Sequence, residues 1–286
     1  MSNDKSFYKV STILVWLWLT CFALIPSFLL FATSFLVQSD SEMVRLQFTF
    51  DHYVRLWNED YLIVYFRSFV LASICTFGCL IIAYPFSYFI ARLPQRYKGV
   101  LLLLVIIPFW TSSLIRTYAI IAILKTHGIL NSLLQWLGVI EYPLQLMYTT
   151  TATVIALIYT LLPLMILPLY ANIEKLDLRL IDAARDLGAR KYQIIGKILI
   201  PLTIPGISAG CMLVFLPAMT LFYIPDLLGG AKTVLLGNII QNQFLAARDW
   251  PMGSAMSVIL TLMIGFILFI YWRYYQSPRA TIHESH

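Results

Sequence analysis

The sequence predicts an all-α polytopic membrane protein with six transmembrane helices, and composition is the first observation behind that prediction. Of the 286 residues, 60% are hydrophobic and only 12% are Asp, Glu, Lys or Arg. Soluble domains are about 45–50% apolar and about 25% charged. The second observation is six stretches almost free of charge, since a hydrocarbon core about 30 Å thick needs roughly 20 apolar helical residues. Little chain remains for a soluble domain, which excludes a catalytic domain fused to an anchor.

Each predicted span is an apolar stretch bounded by polar or charged residues. The spans are 13–37, 66–91, 99–124, 149–172, 198–225 and 251–273. The first is longer than a signal-peptide core of roughly 7–15 residues and no small-residue cleavage site follows it, so we expect a permanent span. Two further uncharged stretches, 126–140 and 233–247, are too short to cross and are predicted as helices at or dipping into the surface.

The basic residues predict the orientation. With a cytoplasmic N-terminus, 13 of the 20 Lys and Arg residues fall on the cytoplasmic side, as the positive-inside rule requires. Both termini are then cytoplasmic. Membrane insertion and anionic lipid explain the formal net charge of +6, so no nucleic-acid partner is expected.

Charge is nearly absent from the spans themselves. Arg67 and Arg273 lie at the ends of spans, and Arg116 is the only charged residue in the interior of one, about 25 Å along the helix from its cytoplasmic end. Two interpretations stay open: the side chain snorkels to the outer headgroups, or it belongs to a translocation path. No proton relay or ion-coupling cluster accompanies it, which predicts that energy for any transport comes from another protein.

The cytoplasmic loop 174–197 is the most highly charged segment, with six basic and four acidic residues in 24. Its apolar positions have helical offsets of three and four, which predicts a short amphipathic helix; they are Leu176, Leu180, Ala183, Ala184 and Leu187. Gly188 is expected to end this helix because glycine accepts positive φ. The loop is either an ordinary interfacial helix or a compact knob that contacts a partner.

The same loop carries a spaced motif, D-A-A-x-x-x-G followed after nine residues by I-x-I-P. It comprises Asp182, Ala183, Ala184, Gly188, Ile198, Ile200 and Pro201. The motif resembles the E-A-A-x3-G-x9-I-x-L-P loop of ATP-binding-cassette (ABC) importer permeases, with Asp and Ile replacing Glu and Leu. The resemblance implies the type I, MetI-like architecture in a single permease domain, 1–286. It also implies that Asp182, Ala183, Ala184, Gly188 and Pro201 couple the chain to an ATPase.

Further segments extend the resemblance over essentially the whole chain. PFWTSSLIRTYA, LIYTLLPLMILPLY and LPAMTLFYIPDLLGGAK are similar to spermidine/putrescine permease subunits. The resemblance implies three partners besides the lipid bilayer: a homologous second permease, a cytoplasmic ABC ATPase dimer and a periplasmic polyamine-binding protein. It places the chain in a bacterial inner membrane as a polyamine importer permease; a different small organic or inorganic solute is the alternative cargo.

Nucleotide binding is expected only on the ATPase. The sequence G-G-A-K-T at 229–233 lacks a glycine before Lys232 and fails as a phosphate loop. We therefore expect this chain to be no enzyme and to bind no cofactor, while ATP and Mg²⁺ bind the partner ATPase. The four Cys and four His residues form no predicted metal site or nucleophile–base pair.

A polycation needs carboxylates, polar acceptors and aromatic faces along its path. The candidates are Phe109 and Trp110 in the third span, Tyr159 in the fourth, and Phe222, Tyr223 and Asp226 near the end of the fifth. Aromatic residues near helix ends are also ordinary interface anchors, and Asp226 is alternatively a helix cap. The external segment 39–62 either contacts the binding protein, attracts cations or is solvated. Gly206 and Gly210 form a G-x-x-x-G face suited to close helix packing.

Overall fold

Helices account for most of the architecture in the computed structural model, which describes residues 2–38, 44–177, 179–230 and 233–276. The helices before the predicted cytoplasmic loop 174–197 are α1 Ser2–Leu19, α2 Ile25–Thr33, α3 Asp51–Leu56, α4 Glu59–Arg92, α5 Gln95–Trp110, α6 Ser113–Leu124, α7 Ile129–Trp136 and α8 Thr150–Ile173. The remaining helices are α9 Arg179–Asp186, α10 Lys191–Ile194, α11 Ile200–Thr220, α12 Leu236–Leu245 and α13 Trp250–Gln276. Single π-helical turns cover Thr20–Leu24, Ile195–Leu199 and Pro225–Gly229.

Six helical stretches of the described chain are long and apolar enough to cross a membrane, which confirms the predicted fold class. They are Ser11–Thr33, Glu59–Arg92, Ser113–Trp136, Thr150–Ile173, Lys191–Thr220 and Trp250–Arg273. The third joins α6 and α7, whereas the sequence analysis assigns a span to 99–124. The structure divides that stretch between α5 and α6, so its bounds stay a prediction.

The chain between α5 and α6 is not helical. Thr111 and Ser112 are both extended, with ψ angles of 150° and 132°. Pro108, three residues earlier, has no N–H to continue the helical ladder, and its carbonyl accepts from the Thr111 N–H at 3.3 Å. Within a membrane, non-helical backbone such as that at Thr111 and Ser112 is tolerated where it is buried in protein or lines a water-filled cavity.

The described chain forms two compact units, of which Ile63–Asn238 is the larger. Within it α8 packs along α11, and half of the 24 residues of α8 are buried. A β-carbon added at Gly210 would lie 2.6 Å from Met165 Sδ, and one at Gly206 would lie 2.6 Å from Asn172 Cβ. The predicted close-packing role of this glycine pair is confirmed, because a side chain at either position would separate the two helices.

The second unit consists of Met1–Leu62 and Ile239–His286. Here α13 packs against α2 and α3, and Thr33 Oγ1 donates a hydrogen bond to Ser254 Oγ at 2.8 Å. An antiparallel pair joins β1 Leu36–Val37, at the end of the first predicted span, to β2 Arg45–Phe48 in the predicted external segment 39–62, and α3 follows. Residues 39–43 of the predicted external loop, and the C-terminal residues 277–286, lie outside the described residues.

Candidate coupling elbow and substrate path

The loop between α8 and α11 folds as a helix–glycine–helix elbow, which we define as residues 179–199. Gly188 follows α9 with φ +79°, and its N–H donates to the Arg185 carbonyl at 2.9 Å. The next N–H, of Ala189, donates to the Ala184 carbonyl at 3.0 Å. The left-handed conformation at this position ends α9 and reverses the chain. Glycine is suited to the position because it adopts this conformation without a Cβ penalty. Leu178, just before the elbow, lies outside the described residues.

A small apolar cluster holds the elbow together. Its buried members are Ile181 and Ala184 of α9 with Ile194 and Leu199 after the turn. Of the apolar face predicted from the sequence, Ala184 is buried, whereas the Leu180 and Leu187 side chains are 51% and 88% exposed. The reversal at Gly188 brings the second arm against the side of α9 that carries Ile181. The opposite face therefore remains open.

The exposed face of α9 is apolar at helical spacing. Leu180, Ala183 and Leu187 are all exposed, at offsets of three and four that place them on one stripe. Asp182 lies beside this stripe and pairs with Arg185, at 3.1 Å between Oδ1 and Nη1 with both side chains more than 60% exposed. An exposed pair of this kind contributes little stability. The elbow thus presents an exposed apolar stripe, Leu180, Ala183 and Leu187, with the charged pair Asp182 and Arg185 beside it.

The elbow also packs on α4. Tyr84 and Tyr88 of that helix lie against the apolar cluster. The Tyr84 hydroxyl and the Thr203 hydroxyl of α11 are 3.1 Å apart. The predicted coupling residue Pro201 lies between the elbow and this contact, as the exposed second residue of α11. The elbow therefore contacts α4 through side chains, and α4 in turn contacts α11 through Tyr84 and Thr203.

An ion pair provides a second connection, between the ends of α5 and α8. Lys98 Nζ lies 3.2 Å from Glu174 Oε1, and their side chains are 14% and 35% exposed. A hydrogen bond with the Tyr170 hydroxyl, followed by the Lys98 ammonium, holds the pKa of the Glu174 carboxyl below its ordinary value. Both interactions favour the charged carboxylate.

Three of the predicted path residues lie together just after α11. Phe222 and Tyr223 have ring centroids 5.9 Å apart and an edge-to-face angle of 88°. The exposed Asp226 carboxylate accepts a hydrogen bond from the side-chain amide of Asn238. The same amide donates to the Phe222 carbonyl at 2.7 Å. Asn238 thus links the Asp226 carboxylate to the backbone of Phe222.

The other predicted path residues are Phe109, Trp110 and Tyr159. Phe109 and Trp110 end α5 and are 44% and 78% exposed, while Tyr159 on α8 is 47% exposed. Within the described residues, no hydrogen bond or ring contact joins them to Phe222, Tyr223 or Asp226. The Phe109 ring instead faces Arg116, whose guanidinium carbon lies 5.5 Å from the ring centroid.

Arg116 is buried, with 8% exposure. Its Nε has no hydrogen-bond partner within the described residues. The snorkelling interpretation is not supported by this position, since a snorkelling side chain keeps its charged head in water. Cation–π contact with Phe109 offsets part of the cost of burying the charge.

Sequence reasoning missed three residues that organise these sites: Ile181, Tyr84 and Asn238. Ile181 is one position away from the predicted stripe, and Tyr84 resembles any other aromatic residue in a span. Asn238 had a usable signal, since a buried amide in an apolar segment requires partners. No group of His, Cys, Asp and Glu residues in the described ranges is arranged to hold a metal ion.

Comparison with known proteins defines the class to which this elbow and these helices belong. Residues 83–282 match the family model described as the binding-protein-dependent transport system inner membrane component. The match covers more than half of the chain. The chain belongs to this family and is a transport permease that crosses the inner membrane several times.

Individual relatives are similar over nearly the full length. The spermidine/putrescine transport system permease protein PotB of Salmonella typhimurium (strain SL1344) is 50% identical over 273 residues, covering 96% of this chain and 95% of that protein. PotB of Escherichia coli (strain K12) is 51% identical over 256 residues, covering 90% of this chain and 93% of that protein.

A solved structure supports the fold independently of close sequence similarity. It is a bacterial alginate ABC transporter in complex with an alginate pentasaccharide-bound periplasmic protein. The superposed chain has a TM-score of 0.75 at 17% identity, covering 98% of this chain and 96% of that one. At this identity the likeness shows the fold alone.

Proposed function

We propose that the chain is a permease subunit of an ATP-driven importer for polyamines such as spermidine and putrescine. The observation that carries this proposal is the identity of about half the residues to relatives named as spermidine/putrescine permeases, over 96% of the chain. The substrate moves from outside to the cytoplasm as the permease alternates between outward-open and inward-open states. The chain performs no chemistry itself.

The proposed complex contains a homologous second permease, a dimer of cytoplasmic ATPase subunits and a periplasmic polyamine-binding protein. ATP and Mg²⁺ bind the ATPase, and this chain binds no cofactor. The elbow and both termini face the cytoplasm in this proposal, supported by the basic residues that flank the predicted spans.

The elbow is proposed to dock on the ATPase through its exposed stripe. Leu180, Ala183 and Leu187 supply apolar surface at helical spacing, which suits a helix lying in a hydrophobic groove. Displacement of the knob then reaches α4 through Tyr84 and α11 through Thr203, because their hydroxyls are in contact at 3.1 Å. ATP-driven closure is transmitted by side-chain contact and needs no charge movement in the membrane.

Asp226 with Phe222 and Tyr223 is the proposed polyamine contact. An exposed carboxylate and two aromatic rings suit an ammonium group linked to a methylene chain. Asn238 occupies part of the acceptor capacity of Asp226, which favours weak binding and release over tight retention. Phe109, Trp110 and Tyr159 are proposed as further contacts along the path.

One observation favours the alternative, a different and less cationic solute. The Phe109 face carries the guanidinium of Arg116, so this predicted aromatic contact already has a cation. A fixed positive charge repels a polycation and attracts an anion.

The decisive experiment reconstitutes the chain with its partner subunits and measures uptake of labelled spermidine and putrescine. Asp226→Asn is compared with Asp60→Asn, an exposed acid at the start of α4. We expect uptake of both amines by wild type, a severalfold loss for Asp226→Asn and no loss for Asp60→Asn. Absence of amine uptake by an ATP-hydrolysing wild-type complex would refute the polyamine cargo. Equal uptake by both variants would remove Asp226 from the path.

Docking is tested in the same preparation with Leu187→Asp, which places a charge in the proposed groove, and Leu187→Met as its conservative control. We expect Leu187→Asp to release the ATPase from the purified complex and Leu187→Met to retain it. Retention of the ATPase by both variants would remove the exposed stripe from the docking surface.

A further inference from the structure

A cavity of about 400 Å³ opens in the unit Ile63–Asn238, beside the part of α4 farthest from the elbow. Four of its lining side chains are exposed apolar groups: Phe66, Val70, Ile74 and Val234. Arg67, Thr150 and Thr233 supply its polar lining. None of these residues belongs to the proposed polyamine path or to the coupling elbow.

The position of the cavity along α4 places it at the level of lipid headgroups. Arg67 and Arg92 are 25 residues apart on this one helix, which corresponds to about 38 Å. A bilayer with its headgroup regions is about 40–45 Å thick. With Arg92 at the interface on the elbow side, Arg67 lies at the opposite interface. Ile74 is then about 10 Å deeper, among the acyl chains.

Three features of the cavity attract an anion. Arg67 is exposed and has no ion pair or hydrogen bond within the described residues. Thr150 is the first residue of α8, a 24-residue helix, and a helix N-terminus carries partial positive charge. The Thr233 hydroxyl is a second, independent feature, since this residue is 7% exposed and its Oγ1 has no partner in the described chain.

The apolar part of the cavity has the form of an acyl-chain groove. Phe66, Val70 and Ile74 are four residues apart in succession, so they form one row down α4. Their exposed fractions are 68%, 37% and 53%. The row starts beside Arg67 and runs toward the membrane interior. A cation at headgroup level above an apolar row matches a phospholipid, which carries its phosphate and its acyl chains in this order.

We propose that this cavity binds one anionic phospholipid. Arg67 binds the phosphate, since arginine matches phosphate geometry with two parallel hydrogen bonds, and the hydroxyls of Thr150 and Thr233 donate to headgroup oxygens. One acyl chain lies on the row from Phe66 to Ile74. The bound lipid joins α4, the start of α8 and residues 233–235, which together line the cavity. This inference rests on the inner-membrane location of the family and is independent of the cargo.

The test uses the complex purified with its partner subunits, delipidated and titrated with defined lipids under native mass spectrometry. The probes are phosphatidylglycerol, phosphatidylcholine and inorganic phosphate. We expect one phosphatidylglycerol to bind at least about tenfold more tightly than phosphatidylcholine, because both lipids carry the phosphate but the choline cation of phosphatidylcholine is repelled by Arg67. Arg67→Gln should lose this preference and Arg67→Lys should retain most of it. Arg55→Gln is the matched control, an exposed arginine on α3 away from the cavity lining.

A second variant separates the groove from the charge. Val70→Trp fills the apolar row and leaves Arg67 intact, so it should weaken phosphatidylglycerol binding without creating a preference for phosphatidylcholine. Equal binding of the two lipids by wild type would overturn the proposal, as would identical behaviour of Arg67→Gln and Arg55→Gln. If inorganic phosphate bound as tightly as phosphatidylglycerol, the cavity would be a phosphate site and the lipid proposal would be refuted. Cross-linking of Arg67→Cys to a protein subunit in the intact complex would assign the cavity to a protein interface and refute the lipid.

Discussion

The turn at Gly188 offers the sharpest test of the elbow, because the structure separates backbone strain from steric overlap there. The residue has φ +79°, and an added β-carbon would meet no atom within 4 Å. A side chain at this position therefore acts through the backbone alone. For an ordinary L-residue the left-handed conformation costs about 1–2 kcal/mol, and a β-branched residue tolerates it least.

That cost is large for this element. Among the described residues, the apolar cluster of the elbow has four fully buried members, Ile181, Ala184, Ile194 and Leu199, so its core is small. A strain of about 1–2 kcal/mol lowers the population of the native turn by up to about 5- to 30-fold relative to competing conformers. The apparent affinity for a partner that binds the native turn falls by the same factor once that turn is no longer the dominant conformer.

The assay compares Gly188→Val, Gly188→Ala and Gly188→Asn in the reconstituted complex. We measure ATPase retention, ATP hydrolysis and substrate uptake per ATP hydrolysed. Asn enters the left-handed region more readily than other non-glycine residues, so the expected order of damage is Val, then Ala, then Asn. Gly196→Ala is the control, since Gly196 has ordinary helical φ and also has no neighbour within 4 Å of an added β-carbon.

The ranking decides the interpretation. Membrane insertion and total yield should be unchanged in all four variants, since Gly188 and Gly196 both precede the predicted span 198–225. Wild-type coupling in Gly188→Val would refute the reasoning. Equal damage in the Asn and Val variants would show that contact at the turn surface, and not backbone conformation, is what matters.

Three further predictions concern packing, the substrate group and pH. Gly210→Val should separate α8 from α11, because its β-carbon would lie 2.6 Å from Met165 Sδ. The expected loss of stability is about 1–3 kcal/mol, which should lower the thermal midpoint measured in detergent. An unchanged midpoint would contradict the close packing of these two helices. Asn238→Leu removes donors that hold the Phe222 carbonyl and Asp226, so about 1–3 kcal/mol of stability should be lost and amine uptake should fall. Glu174→Gln should cost stability at neutral pH. Because the folded pKa of Glu174 is lowered, the wild-type advantage should start to shrink near the ordinary glutamate pKa of about 4.3 and be lost as pH falls through the lower folded pKa. A difference in thermal midpoint that is constant from pH 3 to 7 would contradict it.

The spans were predictable because hydropathy reports directly on what lipid requires. The break at Thr111 and Ser112 was not, since both residues are uncharged and common in membrane helices. Pro108 gave a partial signal, but proline is tolerated inside spans when neighbouring groups satisfy the freed backbone. Pro163 and Pro168 lie inside the unbroken α8, which shows why proline alone does not locate a break.

The elbow shows a different limit. Its helix, its end at glycine and its charged face were readable from sequence, whereas its buried side was not. Leu180 and Ile181 are equally apolar neighbours, and periodicity favoured the row containing Leu180. Ile181 is the buried one because the chain after Gly188 packs against its side of α9. The direction in which the chain returns depends on the backbone angles of the turn, which the helical pattern does not encode. Asn238 could have been recognised as an amide that needs partners, but its partner Asp226 lies 12 residues away and no local pattern identifies it.

The length of α4 has a mechanical consequence. Its 34 residues form one helix about 51 Å long, which exceeds the thickness of a bilayer with its headgroups, about 40–45 Å. One end touches the elbow through Tyr84 and Tyr88, and the other borders the proposed lipid cavity. Since α4 continues through Pro85 without a break, a tilt at one face of the membrane also displaces the end of the helix at the other face. The lipid proposed beside Arg67 contacts this second end of α4, so the fluidity of that lipid would influence how freely α4 tilts.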